Sequence, residues 1–173
     1  MKIGILSDTH SKVKYAKKAL EMLIENGAEF IIHAGDICEY ETLELLKNCG
    51  QRYVAVYGNN DAHLTQYHND YNLVQEPHYF KLADTTFKLM HLPFYMTPDT
   101  EVVIFGHTHE FQSEFIKGTL FLNPGESCAR NKPLSECAIL EVQEKKFDVT
   151  YYYREKKKDD FANKAFSYER KQQ

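Results

Sequence analysis

The sequence lacks the marks of several protein classes. Its 4 cysteines form no CxxC pair, which excludes a zinc ribbon and a thioredoxin-like redox motif. No apolar run approaches the roughly 18 residues of a membrane-spanning helix, so we expect no membrane association. The first residues show no basic region, apolar stretch or cleavage site of a secretory leader, and we therefore expect a cytoplasmic protein. With 21 Lys and Arg against 25 Asp and Glu, the chain has no positive excess to hold a long nucleic acid.

Tryptophan is also absent, whereas histidine occurs 8 times. The 173 residues are enough for a single domain, which at this size buries about 70% of its unfolded surface without help from disulfides. The histidines are therefore the compositional feature that needs an explanation.

The first third of the chain alternates short apolar runs with helical patterns. Runs at 3–6, 30–32 and 53–56 predict three buried strands. Between them, apolar residues recur at the three- and four-residue spacing of amphipathic helices, ending at Asn26-Gly27 and at Asn48-Cys49-Gly50. Strands that are apolar throughout are typical of a parallel sheet covered on both faces.

The pattern changes after residue 75, where apolar runs follow one another closely and predict mostly antiparallel strands. These runs lie at 79–82, 87–90, 102–105, 113–116, 120–122, 137–142 and 147–153. The residues from 156 onward are polar and charged. We therefore predict an α/β domain over residues 1–155 and a polar tail over 156–173, either frayed or docked on a partner.

Polar side chains follow five of the predicted strands at the same relative position. They are Asp8, His10, Asp36, Asn59, Asp61, His91, His107 and His109. One such residue after one strand is better explained by a structural role, as a cap, a turn residue or a hydrogen-bonded core histidine. Repetition at five strand ends indicates a site instead, because ligands bind at the carboxyl ends of parallel strands.

The residue types point to metal binding. Carboxylate, imidazole and amide groups together suit Mn²⁺, Fe²⁺ or Zn²⁺ better than Ca²⁺. Apart from Asp61, these residues supply seven ligands. That number is too large for one such ion but fits two ions that share a bridging carboxylate. Two ions about 3.5–4 Å apart polarise a phosphoryl group and lower the pKa of a bridging water. The pattern predicts a hydrolytic centre in which a metal-bridging hydroxide attacks phosphorus.

The order of these motifs resembles that of the calcineurin-like metallophosphoesterase family. The matching blocks are Asp8-Thr9-His10, Gly35-Asp36, Gly58-Asn59-Asn60-Asp61, His91 and Gly106-His107-Thr108-His109. The short chain and Asn123-Pro124-Gly125 are similar to the small bacterial and archaeal phosphodiesterases. The resemblance covers about residues 1–153 and implies a single-domain β-sandwich flanked by helices, in α/β/β/α layers.

The resemblance also implies a role for each residue. One metal ion would be held by Asp8, His10, Asp36 and His109. The other would share Asp36 and be completed by Asn59, His91 and His107. Asp61 would orient a ligand or its loop. The implied cofactors are two divalent ions, with manganese expected and nickel, iron or zinc as alternatives, and the implied partner is a small phosphodiester substrate.

The third motif departs from the family pattern at Asn60. Many members have histidine at this position, and small phosphodiesterases often have cysteine. A histidine can protonate a leaving alkoxide, whereas an amide can only hydrogen-bond a phosphate oxygen. We therefore predict a preference for diesters with good leaving groups over alkyl monoesters. His63 either replaces the missing acid or is an exposed loop histidine.

Other departures follow the fourth motif. Family members usually have a helix there, but Pro93 and Pro98 exclude an ordinary helix over residues 92–100. The aromatic residues Phe94 and Tyr95, with Met96, either form an open apolar rim or fill the vacated space. Later, Glu126 stands where the family generally has serine. Arg130 either contacts phosphate or forms a surface ion pair.

The motifs are also compatible with functions other than phosphodiester hydrolysis. Some proteins of this fold, such as the small retromer subunit, are assembly scaffolds with degraded sites. Here all seven ligand positions hold competent ligands, which favours an enzyme over a scaffold. Within the enzymes, a phosphomonoesterase and a nuclease stay open, and a homo-oligomer is compatible with the sequence.

Overall fold

The computed structural model of the protein describes residues 1–170. Two helices, α1 (Val13–Glu25) and α2 (Tyr40–Asn48), and a 3₁₀ helix (Ala62–Tyr67) accompany twelve strands. The strands are β1 (Lys2–Leu6), β2 (Phe30–His33), β3 (Arg52–Val56), β4 (Leu73–Val74), β5 (His78–Leu82), β6 (Thr85–Leu89), β7 (Val102–Ile104), β8 (Phe111–Ile116), β9 (Thr119–Pro124), β10 (Leu134–Val142), β11 (Lys146–Glu155) and β12 (Ala162–Glu169).

The first sheet has the strand order β12-β11-β10-β1-β2-β3-β4. Its β1, β2 and β3 are parallel, as the apolar runs and intervening helices predicted. The two-residue strand β4, which the sequence did not predict, is parallel to β3. β10 pairs antiparallel with β1, so that Ile5 lies between Ile32 and Ala138. The carboxyl ends of β1, β2 and β3 therefore share one edge.

The second sheet has the order β5-β6-β7-β9-β8. The prediction of mostly antiparallel pairing is wrong at its centre, because β6, β7 and β9 are parallel to one another. The chain leaves β7, forms β8 at the sheet edge, and returns as β9 beside β7. The runs were short and closely spaced, and spacing alone does not distinguish this return from a simple meander.

Apolar side chains of both sheets meet in the main core. Ile5, Val54, Phe87 and Leu122 belong to this cluster. The helices cover the other face of the first sheet, where Leu23 packs with sheet residues and with residues of α2. The mixed α/β fold with two sheets and helices is therefore confirmed.

The segment 92–100 occupies the face of the second sheet that a helix would cover. It contains no helix, in agreement with its prolines. Met96 packs against the apolar cluster on that face. The fully buried Lys88 ammonium donates to the carbonyl oxygens of Tyr95 (2.9 Å) and Thr97 (3.0 Å). Phe94 and Tyr95 are 75% and 48% exposed, so Met96 fills the space while the two aromatic residues form an open surface.

The predicted polar tail requires a correction. Residues 162–169 form β12, which extends the first sheet by pairing with β11. Phe166 and Tyr168 pack partly buried against the main core, and the Tyr168 hydroxyl donates to the Ser113 carbonyl at 2.8 Å. The domain therefore continues past residue 155, whereas residues 171–173 lie outside the described part of the chain.

Neither α1 nor α2 is long and apolar enough to cross a membrane.

Candidate metal centre

The loops after five strands converge at one edge of the sandwich. Those after β1, β2 and β3 come from the first sheet, and those after β6 and β7 come from the second. They bring together every predicted metal ligand: Asp8, His10, Asp36, Asn59, His91, His107 and His109. Around the Asp36 carboxylate these side chains form two adjoining groups. Asp8 lies near both, because ligand atoms of Asp8, Asp36 and His91 are within 4.8 Å of one another.

The first group surrounds Asp36 Oδ2. His10 Nε2 lies 3.7 Å from this oxygen and 3.4 Å from His109 Nε2. His109 Nε2 in turn lies 3.2 Å from Asp8 Oδ1. Two carboxylate oxygens and two imidazole nitrogens thus face a common point.

The second group surrounds the other oxygen of the same carboxylate. His91 Nε2 lies 3.5 Å from Asp36 Oδ1 and 3.1 Å from Asn59 Oδ1. His107 Nδ1 also lies 3.1 Å from Asn59 Oδ1. Asp36 is therefore the residue shared by the two groups.

These residues fit divalent metal ions. Ligand atoms bound at about 2.0–2.2 Å lie roughly 3–3.5 Å from one another. The separations in the second group, 3.1–3.5 Å, match this range, and in the first group the 3.7 Å between His10 and Asp36 is longer. Asp8 Oδ1 is a buried oxygen without a hydrogen-bond partner. An unsatisfied buried acceptor costs about 1–3 kcal/mol, and a cation would satisfy it. Nitrogen and oxygen ligands without a thiolate suit borderline first-row ions.

The backbone at the ligands is strained. Positive φ angles occur at Asp8 (52°), His10 (44°), Asp36 (53°), His107 (67°) and His109 (61°). Residues with side chains rarely adopt this left-handed conformation, which costs of order 1–3 kcal/mol unless the surroundings enforce it. Five of the ten non-glycine residues with positive φ in the described structure are predicted ligands, and such clustering is typical of a functional site.

Two glycines allow the loops to approach closely. A Cβ atom on Gly58 would lie 2.2 Å from Asp36 Oδ1, and one on Gly106 would lie 2.3 Å from Ser7 Oγ. Any larger residue at either position would push apart the loops that carry the ligands. The glycines of the third and fifth motifs are therefore explained by packing inside the centre.

Hydrogen bonds outside the two groups fix how the ligands point. Asp8 Oδ2 accepts from the Ser7 hydroxyl at 2.6 Å and from the His107 amide at 3.2 Å, leaving Oδ1 for the centre. His91 Nδ1 donates to the Ala34 carbonyl at 2.8 Å, which directs Nε2 inward. Such outer contacts set the tautomer and the orientation of a metal-binding imidazole.

The sequence marks Glu126 as a departure from the family pattern, but it does not indicate the contact that this residue makes with a candidate ligand. Its fully buried carboxylate accepts from His109 Nδ1 at 2.5 Å, so that Nε2 of this ring faces the first group. The amides of Asn131 and Lys132 also donate to it at 2.8 Å. Burial raises the pKa of Glu126, but the His109 hydrogen bond and the two amides outweigh burial and lower it. The replacement of the family's serine was the signal that could have drawn attention to it.

Two cysteines also lie beside the His10 ring. Cys128 groups with His10 and His109, with ligand atoms within 4.8 Å of one another. Burial, followed by the charge of Glu126, raises the pKa of Cys128 to about 12. Cys38 Sγ lies 3.5 Å from His10 Nδ1, and burial likewise raises the pKa of Cys38 to about 12. Both side chains are therefore neutral thiols around neutral pH.

Asn60, predicted to hydrogen-bond a phosphate oxygen, and Asp61, predicted to orient a ligand or its loop, both contact the protein itself. Asn60 is exposed, and its amide donates to Asp36 Oδ2 at 2.8 Å while its backbone N–H donates to Oδ1 at 3.0 Å. Asp61 is buried and accepts from the backbone amides of Ile37 (3.1 Å), Cys38 (2.8 Å) and Gly58 (2.7 Å). Asp61 therefore holds the loops after β2 and β3 together, which agrees with its implied orienting role.

Charge and hydrogen bonding couple Asp36 to His91. Burial alone would raise the pKa of Asp36, but the hydrogen bond and charge of His91, with the contacts from Asn60, lower it. Burial alone would lower the pKa of His91, but Asp36 and Asp8 raise it. The shared carboxylate is thus kept ionised and able to bind cations.

His33 and His63 have ordinary hydrogen-bonding roles. His33 Nδ1 accepts from the Gly35 amide at 3.2 Å, and Nε2 lies 3.0 Å from the Thr9 hydroxyl. Burial lowers the pKa of His33 to about 3, so the ring is neutral. His63 is exposed and contacts the Cys38 carbonyl oxygen through Nε2 at 2.6 Å. Of the two interpretations of His63, this contact agrees with the loop histidine.

The chain belongs to the calcineurin-like phosphoesterase superfamily, whose domain model matches residues 1–145. Over 160 residues it is 29% identical to "Phosphodiesterase MJ0936" of Methanocaldococcus jannaschii, covering 85% of this chain and 96% of that protein. A solved archaeal phosphodiesterase is similar over 96% of this chain and 100% of its own, with a TM-score of 0.75 and 26% identity.

The same fold is found in a second solved structure, that of a protein named Vps29. Vps29 of Chaetomium thermophilum superimposes with a TM-score of 0.79 over 98% of this chain and 99% of its own, at 14% identity. This likeness concerns the fold alone. The match to the domain model confirms the family resemblance that the sequence motifs indicated.

Proposed function

We propose that the protein hydrolyses small phosphodiesters with two divalent metal ions. The observation that carries this proposal is the Asp36 carboxylate, whose two oxygens face separate groups of ligand atoms. When bound, two such ions supply positive charge that polarises a phosphoryl group and lowers the pKa of a water between them. Manganese is the expected metal, with nickel, iron or zinc as alternatives.

The chain's own residues hold this arrangement in advance. His91 and His109 each use Nδ1 for a hydrogen bond to the protein and present Nε2 to the centre. Asp8 does the same with its two oxygens. Because these groups are fixed before substrate binds, little reorganisation is needed during the reaction, which is the main source of electrostatic catalysis.

The residues at and beside position 60 support a diester with a good leaving group as the substrate. The Asn60 amide cannot protonate a leaving group, and the neighbouring His63 contacts a backbone carbonyl oxygen. Substrates whose leaving groups depart without an acid are favoured under these conditions. With a net charge of -4, the chain favours small diesters over long nucleic acids.

The test compares bis(p-nitrophenyl) phosphate with p-nitrophenyl phosphate, using protein loaded with Mn²⁺, Ni²⁺ or Zn²⁺. We expect metal-dependent release of nitrophenol from the diester at a higher kcat/KM than from the monoester. A simple alkyl monoester should be cleaved more slowly than either. Equal rates on the alkyl monoester and the aryl diester would reject the diester assignment.

Metal content separates an enzyme from a scaffold of the same fold. Elemental analysis of the loaded protein should find about two ions per chain. A protein that binds no metal and hydrolyses neither ester would instead be a scaffold, and the proposed function would then be abandoned.

A further inference from the structure

A cleft of about 520 Å³ opens beside the first group of ligands. It is lined by His10, which lies 3.7 Å from Asp36, and by Asn60, which donates to the same carboxylate. The cleft is therefore continuous with the candidate metal centre, and a substrate bound there would extend into it. Its remaining lining decides which kind of substrate group it accepts.

Three cationic residues, Lys12, Arg130 and Lys156, line this cleft, and no carboxylate does. They come from separate parts of the chain: the start of α1, the loop between β9 and β10, and the turn after β11. All three side chains are exposed. The chain has more acidic than basic residues, so a cleft lined by positive charges and by no carboxylate is unusual in it.

Within residues 1–170, none of the three cations forms an ion pair. Other cationic side chains in the same protein do form them, as Lys132 does with Glu110 and Glu136. The sequence left open whether Arg130 contacts phosphate or forms a surface ion pair, and the described structure contains no such pair. Its charge is available to a ligand.

Backbone hydrogen bonds fix the segments that carry the three cationic residues. On either side of Arg130, the Cys128 amide donates to the Asp8 carbonyl at 3.2 Å and the Asn131 amide donates to Glu126 at 2.8 Å. The Lys156 amide donates to the Pro133 carbonyl at 2.9 Å, and the Lys12 amide donates to the Thr9 carbonyl at 3.0 Å. The backbone on either side of the cleft is thus fixed, in part to the segment that carries Asp8 and His10, while the charged ends of the side chains remain solvated.

We propose that this cationic cleft binds a second phosphate group of the substrate, next to the phosphodiester that is cleaved. The substrate class is then a small diester that carries an additional phosphate. This inference rests on the proposed function, because it treats the neighbouring centre as the place of hydrolysis. Exposed cations bind an anion by charge and hydrogen bonds, so the effect should weaken as salt is raised.

The test uses two substrates with the same leaving group: the p-nitrophenyl ester of thymidine monophosphate, and the same diester with a second phosphate on its sugar. We expect kcat/KM to be about tenfold higher for the second substrate, the size of one charge-assisted contact. Arg130→Gln and Lys156→Gln should each reduce this ratio several-fold. Lys157→Gln is the matched control, because it removes the same charge from an exposed neighbour that does not line the cleft.

The outcomes separate the two proposals. A ratio near one in the unchanged protein, or a ratio that survives Arg130→Gln and Lys156→Gln, overturns the second-phosphate site while leaving the diesterase intact. If neither diester is hydrolysed with any metal, the proposed function fails. Calorimetry then tests directly whether the cleft binds a second phosphate. Thymidine bisphosphate should bind about tenfold more tightly than thymidine monophosphate. Equal affinities would overturn the cleft as well.

Discussion

The two groups of candidate metal ligands differ in how deeply they are buried. Beside Asp36, the first group consists of Asp8, His10 and His109, which are 0%, 9% and 8% exposed. In the second group His91 is buried, but Asn59 and His107 are exposed. The first position is therefore shaped by the core, whereas the second is completed by side chains at the surface.

This difference has a physical consequence for metal binding. A buried ligand with a fixed outer contact loses little freedom when it binds an ion, and water competes less for that ion. An exposed ligand must be ordered and desolvated at the time of binding. We therefore expect the first position to bind its ion more tightly and to release it more slowly.

Asp36→Asn should have the largest effect, because it weakens the ligand common to both positions. We expect the loss of both ions and a fall in kcat on the order of a thousandfold or more, the scale of losing preorganised charge at the reacting centre. Elemental analysis and steady-state kinetics measure the two effects. Asp70→Asn, at an exposed aspartate, is the control. Retention of both ions would contradict the shared role of Asp36.

His109→Ala and His107→Ala separate the two positions. Removing His109 takes away a buried ligand and leaves Glu126 without its partner, so the first ion should be lost. Removing His107 should lose only the second ion and leave about one ion per chain. Metal content and the thermal stability of each variant measure this. If both variants keep the same number of ions, the comparison between the positions is wrong.

Glu126→Gln tests the contact that orients His109. A glutamine of the same size can accept one hydrogen bond but carries no charge, so the ring is held less firmly. We expect metal affinity at the first position to fall about 10–100-fold, as for other outer contacts of metal-binding histidines. Titration with a competing chelator measures the affinity. Glu25→Gln, at an exposed glutamate at the end of α1, should leave the affinity unchanged, and an equal loss there would exclude a specific role for Glu126.

Stepwise removal of metal with a chelator should reveal two stages. An ion present at about 100 times its Kd stabilises the folded chain by roughly 2.7 kcal/mol, which corresponds to several degrees in Tm for a domain of this size. We expect the weaker ion to leave first with the smaller loss of Tm. Calorimetry at increasing chelator concentration checks this order. One transition that loses both ions together would show that the two positions are coupled rather than unequal.

The candidate ligands could be located from the sequence because each lies two to five residues after the end of a strand. Asp8 and His107 follow short apolar runs, and parallel strands place such ends at one edge. Glu126 was not predictable in this way, because its contact with His109 depends on how the loop after β9 folds back. The edge strand β12 was missed because only Phe166 and Tyr168 mark its buried side in a polar segment. Contacts between distant parts of the chain leave no local pattern.

Asn60→His should give the smallest effect, and it tests the altered position of the third motif. Asn60 is exposed beside Asp36, so a histidine there has room to adopt a protonated form. A well-placed general acid contributes about 10²–10⁴-fold, but this one would have no supporting contact designed for it. We therefore expect the ratio of monoester to diester hydrolysis to rise only about tenfold, measured with aryl and alkyl phosphates. The gain should be larger for alkyl esters, because aryl groups leave without an acid. A uniform change across all esters would show that Asn60 acts through Asp36 and the metal ions, and not at the position of the leaving group.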